Sequence, residues 1–182
     1  MRSTITRLRD LVPLRRLSTA ESLRIAERQA DHLLRLSGIT EPPFLEDVIA
    51  GIPRIQIERD GPSGVLAATQ WSHGRWLIII NGRVTRGRQR WSLAHEFKHI
   101  LDHPFQTILY PKESTEQAEQ ACDYFAACLL MPRRWLRRAW SQGIRDGRTL
   151  GRLFGVTPAA VKVRLLQVGL IDPTSLCLAK EA

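Results

Sequence analysis

The sequence of 182 residues predicts an α+β fold, in which a small antiparallel sheet packs against helices and a helical C-terminal lobe follows. Apolar residues recur at helical spacing between residues 19 and 37, and a strand–turn–strand pattern lies between residues 65 and 81. From residue 88 onward the spacing is helical again. Helix, small sheet and then helices is the order of an α+β protein, whereas a parallel α/β sheet requires strands and helices in alternation.

The first helix is predicted between residues 19 and 37, because its apolar residues recur every three or four positions and Gly38 ends the pattern. A Pro-Pro pair then precedes a short second helix. The residues predicted on its buried face are Leu45, Val48 and Ile49. The alternation of Ile55 and Ile57 indicates a short strand after this helix.

A β-hairpin is predicted next, with arms at residues 65–71 and 75–81 and a turn at Ser72-His73-Gly74. The second arm contains the run WLIII, which is rich in β-branched residues. We therefore expect this arm at the centre of the sheet or half buried.

The motif His-Glu-x-x-His occupies residues 95–99. On a helix, His95 and His99 project from one face, so both imidazoles can bind the same metal ion. Glu96 lies beside that face, where it can act on a water at the metal without binding the ion. Zinc is the metal this motif favours, although histidine and carboxylate ligands also suit manganese or iron. Catalytic zinc usually has three protein ligands, so the motif requires one more.

The helix predicted at residues 115–130 offers this ligand. Ser114 and Gln117 form a capping box at its start. Its apolar stripe consists of Ala118, Ala121, Cys122, Phe125, Ala126, Leu129 and Leu130. Glu119 borders this stripe, and Asp123 lies one turn further on the same side. Because buried carboxylates are costly unless paired or metal-bound, we expect one as a ligand and the other hydrogen-bonded to a ligand histidine. The alternative is an acidic edge that faces water.

Composition favours a cytoplasmic protein that does not interact with membranes. The formal net charge of +9 suits polyanions or acidic protein partners, and is equally compatible with a solvated basic face. Three cysteines without a CxxC pair argue for a reducing compartment. The basic N-terminus lacks the apolar region of a secretory signal, and the longest apolar run, residues 76–80, is too short to cross a bilayer.

The C-terminal residues 132–182 are predicted to form an arginine-rich helical lobe. Within it, residues 149–171 have helix-turn-helix character. Gly155 marks a turn, Thr157 is suited to cap a helix, and Pro158 is suited to open it.

With these segments assigned, the sequence resembles the ImmA/IrrE family of bacterial metallo-endopeptidases, which are zincins with a glutamate as third ligand. The likeness rests on RWSLAHEFKHILDH at residues 90–103 and on EQACDYFAACLLMP at residues 119–132. It extends over about residues 20–170. It implies a zincin-like fold, zinc bound by His95, His99 and Glu119, and Glu96 as the catalytic base.

The resemblance also implies a substrate: a regulatory protein, often a helix-turn-helix repressor. The strand at residues 75–81 is expected to pair with the extended substrate. Asp123 is expected to accept a hydrogen bond from a ligand histidine, His95 by preference. Candidates for contacts to the substrate or the oxyanion are His103, Tyr110 and Tyr124.

Two residues depart from the family pattern. Lys98 stands where the family usually has glycine, and we expect its side chain to point outward from the site. Cys122 replaces the usual alanine. Neither change removes an expected ligand.

The predicted organisation is a basic N-terminal segment at residues 1–18, a zincin-like metallopeptidase domain at residues 19–131, and the helical lobe at residues 132–182. It corresponds to a minimal family member without the C-terminal sensor domain. The competing hypothesis is a DNA-binding transcriptional regulator whose metal site is structural or vestigial. In that case the residues of the lobe's second helix that can reach bases are Lys162, Arg164 and Gln167.

Overall fold

The structure, a computed structural model, describes residues 3–59, 65–110 and 115–172, and it has the predicted α+β class. The strands are β1 (Ile55–Glu58), β2 (Ala67–Ser72) and β3 (Arg75–Ile80). The helices before and after the sheet are α1 (Thr4–Arg9), α2 (Thr19–Ser37), α3 (Asp47–Ala50), α4 (Arg86–Asp102), α5 (Gln106–Leu109), α6 (Thr115–Leu130), α7 (Arg133–Ser141), α8 (Gly147–Phe154) and α9 (Pro158–Gln167). A 3₁₀ turn at His103–Phe105 joins α4 to α5.

The sheet has three strands in the order β1-β3-β2 and is mixed. The expected antiparallel sheet is therefore wrong in one respect: β2 and β3 form the predicted antiparallel hairpin, but β1 runs parallel to β3. The two arms of the hairpin are adjacent in the sequence, so their local pattern predicted it. β1 is separated in the sequence from β3, its partner, and no local pattern specifies this pairing. This register sets Ile57 beside Ile78.

The central position of β3 also corrects the expected substrate strand. Both edges of β3 are occupied, by β1 and by β2, so the strand at residues 75–81 has no edge for a peptide. In the part of the chain that the structure describes, β2 is an edge strand of the sheet, and it packs beside α4.

The two long helices α2 and α6 pack along each other, and α4 packs against α6. α2 begins and ends as predicted: Ser18 and Glu21 form a capping box, and Gly38 has the left-handed φ of 68° that favours glycine. The predicted buried stripe of α6 is confirmed, because all seven of its residues are buried. Ser114 lies outside the described residues, so its capping box stays a prediction. The buried face predicted for α3 is partly wrong, since Leu45 is exposed.

One hydrophobic core joins α2, the sheet, α4, α6 and the C-terminal helices, with Phe97, Phe125, Phe154 and Leu165 among its members. α1 belongs to this assembly through Leu8, and the Arg9 guanidinium donates to the carbonyls of Ile100 and Leu101 near the end of α4. α4, which carries the motif, is thus held from several sides. The division of the chain into three segments stays a prediction.

Two described cysteines, Cys122 and Cys128, are buried and free of disulfides, and Cys177 lies outside the described residues. Among the helices that the structure describes, none is both long enough and apolar enough to cross a membrane.

Candidate active site

Helix α4 presents the motif residues on a half-buried face. Its side chains Leu93, Phe97 and Ile100 are almost fully buried and fix the helix in the core. His95, Glu96 and His99 lie at the boundary between this core and solvent. The packing of α4 against α6 brings Glu119 and Asp123 to the same place.

Three donor groups meet at a single point between α4 and α6. The Nε2 atoms of His95 and His99 are 3.1 Å apart. The two oxygens of the Glu119 carboxylate lie 3.1 Å from His95 Nε2 and 3.4 Å from His99 Nε2. Zinc ligands at about 2.0 Å from a tetrahedral ion are separated from one another by about 3.3 Å. The spacing of these donors therefore fits one zinc-sized cation.

Asp123 fixes the orientation of His95. Its Oδ1 atom lies 2.9 Å from His95 Nδ1. With the ring proton on Nδ1, His95 donates to the carboxylate, and its Nε2 lone pair faces His99 and Glu119. Two Nε2 lone pairs at 3.1 Å repel each other unless a proton or a cation lies between them, which again suits a metal ion.

Trp91 is a site residue that the sequence analysis missed. Its indole Nε1 donates to Asp123 Oδ1 at 3.1 Å, so the same carboxylate oxygen is held by Trp91 and His95. The sequence could have indicated this role, because Trp91 precedes His95 by four residues and therefore lies on the same face of α4.

The charges in this cluster displace several pKa values. Burial lowers the pKa of His95, but its hydrogen bond with Asp123 and the surrounding carboxylate charges outweigh burial and raise it. Burial, followed by the neighbouring His95, lowers the pKa of His99. The hydrogen bond from His95 lowers the pKa of Asp123. Burial raises the pKa of Glu96, and the charge of Glu119 adds to this rise. A carboxylate with a raised pKa is suited to accept and return a proton.

The cluster opens into a cavity of about 730 Å³. His95, Glu96, Glu119 and Asp123 line one part of it, and residues of α9 line another. A cavity of this size accommodates several residues of a peptide or a small organic ligand.

Comparisons with known proteins identify the family of this chain. The family model of the IrrE N-terminal-like domain, Peptidase M78, matches residues 52–166, which is more than half of the chain. The chain belongs to this family. The ImmA/IrrE resemblance is thereby confirmed.

A comparison with curated proteins returned no match. A solved structure described as a Mycobacterium tuberculosis transcriptional regulator is similar to this M78 chain, with a TM-score of 0.60 and 18% sequence identity. The alignment covers 90% of this chain and 52% of that one, so the chain spans about half the length of the similar structure. At this identity the likeness supports the fold alone.

Lys98 of the M78 domain lies in the interior, so the expectation that it points outward is wrong. The side chain is 1% exposed and forms an ion pair with Asp102, one turn further along α4. The hydroxyl of Tyr110 donates to the same carboxylate at 2.6 Å. The Asp102 carboxylate thus replaces water around the ammonium group, and the Tyr110 hydroxyl hydrogen-bonds that carboxylate in turn.

This arrangement also sets Tyr110 apart from the cavity. Its hydroxyl is engaged by Asp102, and burial raises its pKa. Of the other two candidates for substrate contacts, Tyr124 lines the large cavity beside Asp123. His103 is exposed, packs edge-on against Trp76 at 4.8 Å, and shares a smaller hollow with Glu96 and His99.

Cys122 is a second potential donor beside the two histidines. Its thiol and one ring nitrogen of each of His95 and His99 all lie within 4.8 Å of one another. The thiol is 1% exposed, and burial raises its pKa well above the usual value. Glu119 therefore offers the closer and more accessible donor, and Cys122 is the alternative third ligand.

Proposed function

We propose that this M78 domain is a zinc-dependent endopeptidase with a zincin-like arrangement of α4 and α6. His95, His99 and Glu119 would hold the metal, and Glu96 would act as the general base. The observation that carries this proposal is the set of donor distances of 3.1 to 3.4 Å beside the half-buried Glu96 in an open cavity.

The chemistry that a bound zinc ion supplies is Lewis-acid polarisation of the scissile carbonyl and of the attacking water. Glu96 takes the proton from this water and returns it to the leaving amine. The raised pKa of Glu96, which burial causes, favours its role as proton acceptor and donor. Asp123 keeps the proton of His95 on Nδ1, and Trp91 holds the Asp123 carboxylate in position.

We further propose that the substrate is a protein and that cleavage takes place in the cytoplasm. The resemblance to the ImmA/IrrE family favours a regulatory protein such as a helix-turn-helix repressor. Manganese is the alternative metal, since its ligand preferences include carboxylate and water.

A DNA-binding regulator is the second candidate, because the similar M. tuberculosis structure is described as a transcriptional regulator. Its support from this chain is weaker than the sequence indicated. Of the three residues expected to reach bases, Arg164 is 1% exposed and donates to the Met131 carbonyl. A buried guanidinium cannot contact a base or a phosphate.

Metal dependence tests the proposed function. We expect the purified full-length protein to cleave members of an unbiased peptide library, with products identified by mass spectrometry. Chelation and dialysis should abolish cleavage, and about one equivalent of zinc should restore it, because three protein ligands leave the metal one open position. Cleavage that persists in protein shown to be metal-free would contradict the proposal.

A further inference from the structure

The large cavity has two chemically different sides. One side is mainly acidic and carries Glu96, Glu119 and Asp123, together with the Arg88 cation of α4. The other side is formed by the C-terminal lobe. It consists of Thr157, which caps α9, and of four residues along this helix, Ala159, Ala160, Val163 and Gln167. α9, the second helix of the segment with helix-turn-helix character, therefore borders the same cavity as the proposed catalytic groups.

The packing of α9 determines which face it turns to the cavity. Val161 and Leu165 lie in the hydrophobic core. Arg164 is anchored on the buried side, where its Nε donates to Met131 at 3.1 Å and its guanidinium lies 5.4 Å from the ring centre of Tyr124. Another Arg164 nitrogen donates to Gln167 at 3.2 Å. These contacts hold α9 rigidly and leave Val163, which is 50% exposed, at the cavity.

The cavity face of α9 carries no charged side chain, because Ala159, Ala160, Val163 and Gln167 are all neutral. The two alanines leave room, and Val163 offers a branched apolar contact. Phosphate groups would meet three carboxylates across the cavity, with Arg88 as a cation beside them, and would find no cation on this face of α9. The surface thus suits an apolar side chain better than a nucleic acid.

We propose that the cavity face of α9 is a specificity subsite, which binds an aliphatic or aromatic side chain of the peptide during cleavage. The preferred substrate is then a protein segment with an apolar residue at a fixed position from the scissile bond. This inference rests on the proposed function and assigns the lobe a role in substrate selection.

Peptide-library profiling of the zinc-loaded full-length protein tests the subsite. The wild-type protein should favour an apolar residue at one fixed position from the cut. Val163→Arg should lower kcat/KM for such peptides about tenfold or more and shift the preference at that position toward acidic residues. Lys162→Ala is the matched control, because Lys162 is exposed on the same helix but does not line the cavity. The zinc content of each variant, measured by elemental analysis, should stay at the wild-type level.

The possible outcomes distinguish a failure of the proposed subsite from a failure of the proposed peptidase function. If the wild-type protein cleaves peptides but shows no apolar preference, or if Val163→Arg leaves the preference unchanged, the subsite is refuted and the peptidase stands. If the zinc-loaded protein cleaves nothing, both are refuted. Salt-dependent binding of a DNA duplex that Val163→Glu or Gln167→Ala weakens would also overturn the subsite, because α9 would then contact nucleic acid.

Discussion

Glu96→Gln is expected to abolish proteolysis and to leave the metal site intact. Glutamine keeps the size of the side chain but cannot take a proton from water, and none of the three proposed ligands changes. We expect kcat/KM to fall by about a thousandfold or more, which is the upper part of the range for a lost general base. The measurement pairs peptide cleavage with zinc content on the same preparation.

A matched control is Glu116→Gln, since Glu116 is an exposed glutamate on α6 that does not line the cavity. This variant should retain wild-type activity. Cleavage by Glu96→Gln at the wild-type rate would mean that another group acts as the base, and that the raised pKa of Glu96 reflects burial without a catalytic role.

The second large effect concerns stability. Lys98→Ala is expected to lower the free energy of unfolding by about 3–5 kcal/mol, because it leaves the Asp102 carboxylate buried without its cation. Lys98 and Asp102 are 1% and 5% exposed at their side chains, so water does not replace the lost partner. Urea denaturation of the metal-free protein, followed by tryptophan fluorescence, measures the change without a contribution from metal binding.

A double variant separates charge from packing. Lys98→Met with Asp102→Leu removes both charges and keeps apolar volume, and it should recover most of the loss. The hydroxyl of Tyr110 then lacks its acceptor, so recovery is not expected to be complete. A loss below about 1 kcal/mol for Lys98→Ala would show that the ammonium group reaches water, contrary to its burial.

Local sequence patterns predicted much of the fold. The periodicity of α2 and α6 and the turn of the hairpin are encoded within short segments, so the sequence predicted them. The parallel pairing of β1 with β3 depends on contacts across the sheet, and no local signal specifies it. Lys98 was misplaced for a related reason: its i, i+4 partner Asp102 was visible in the sequence, but the burial of both depends on tertiary packing.

More of the candidate site could be predicted from the sequence, because only a few residue types can bind a metal ion or act as a general base. The spacing of His95 and His99 on one helix face follows from the helical repeat. The approach of Glu119 and Asp123 to the histidines depends on how α6 packs against α4. Spacing within α6 did not decide which acid binds the metal, and the family resemblance implied Glu119. The burial of Arg164 and the orientation of α9 toward the cavity arise from the core and were not foreseen.

The identity of the third ligand is the central claim, and zinc titration against a chromophoric chelator tests it most directly. We expect the wild-type protein to bind about one zinc ion per chain, and Cys122→Ser to bind it with the same affinity. Glu119→Ala should lose about a hundredfold or more in affinity, because its carboxylate lies 3.1 to 3.4 Å from both histidines. Wild-type affinity in Glu119→Ala together with a large loss in Cys122→Ser would contradict the account and identify the thiol as the ligand.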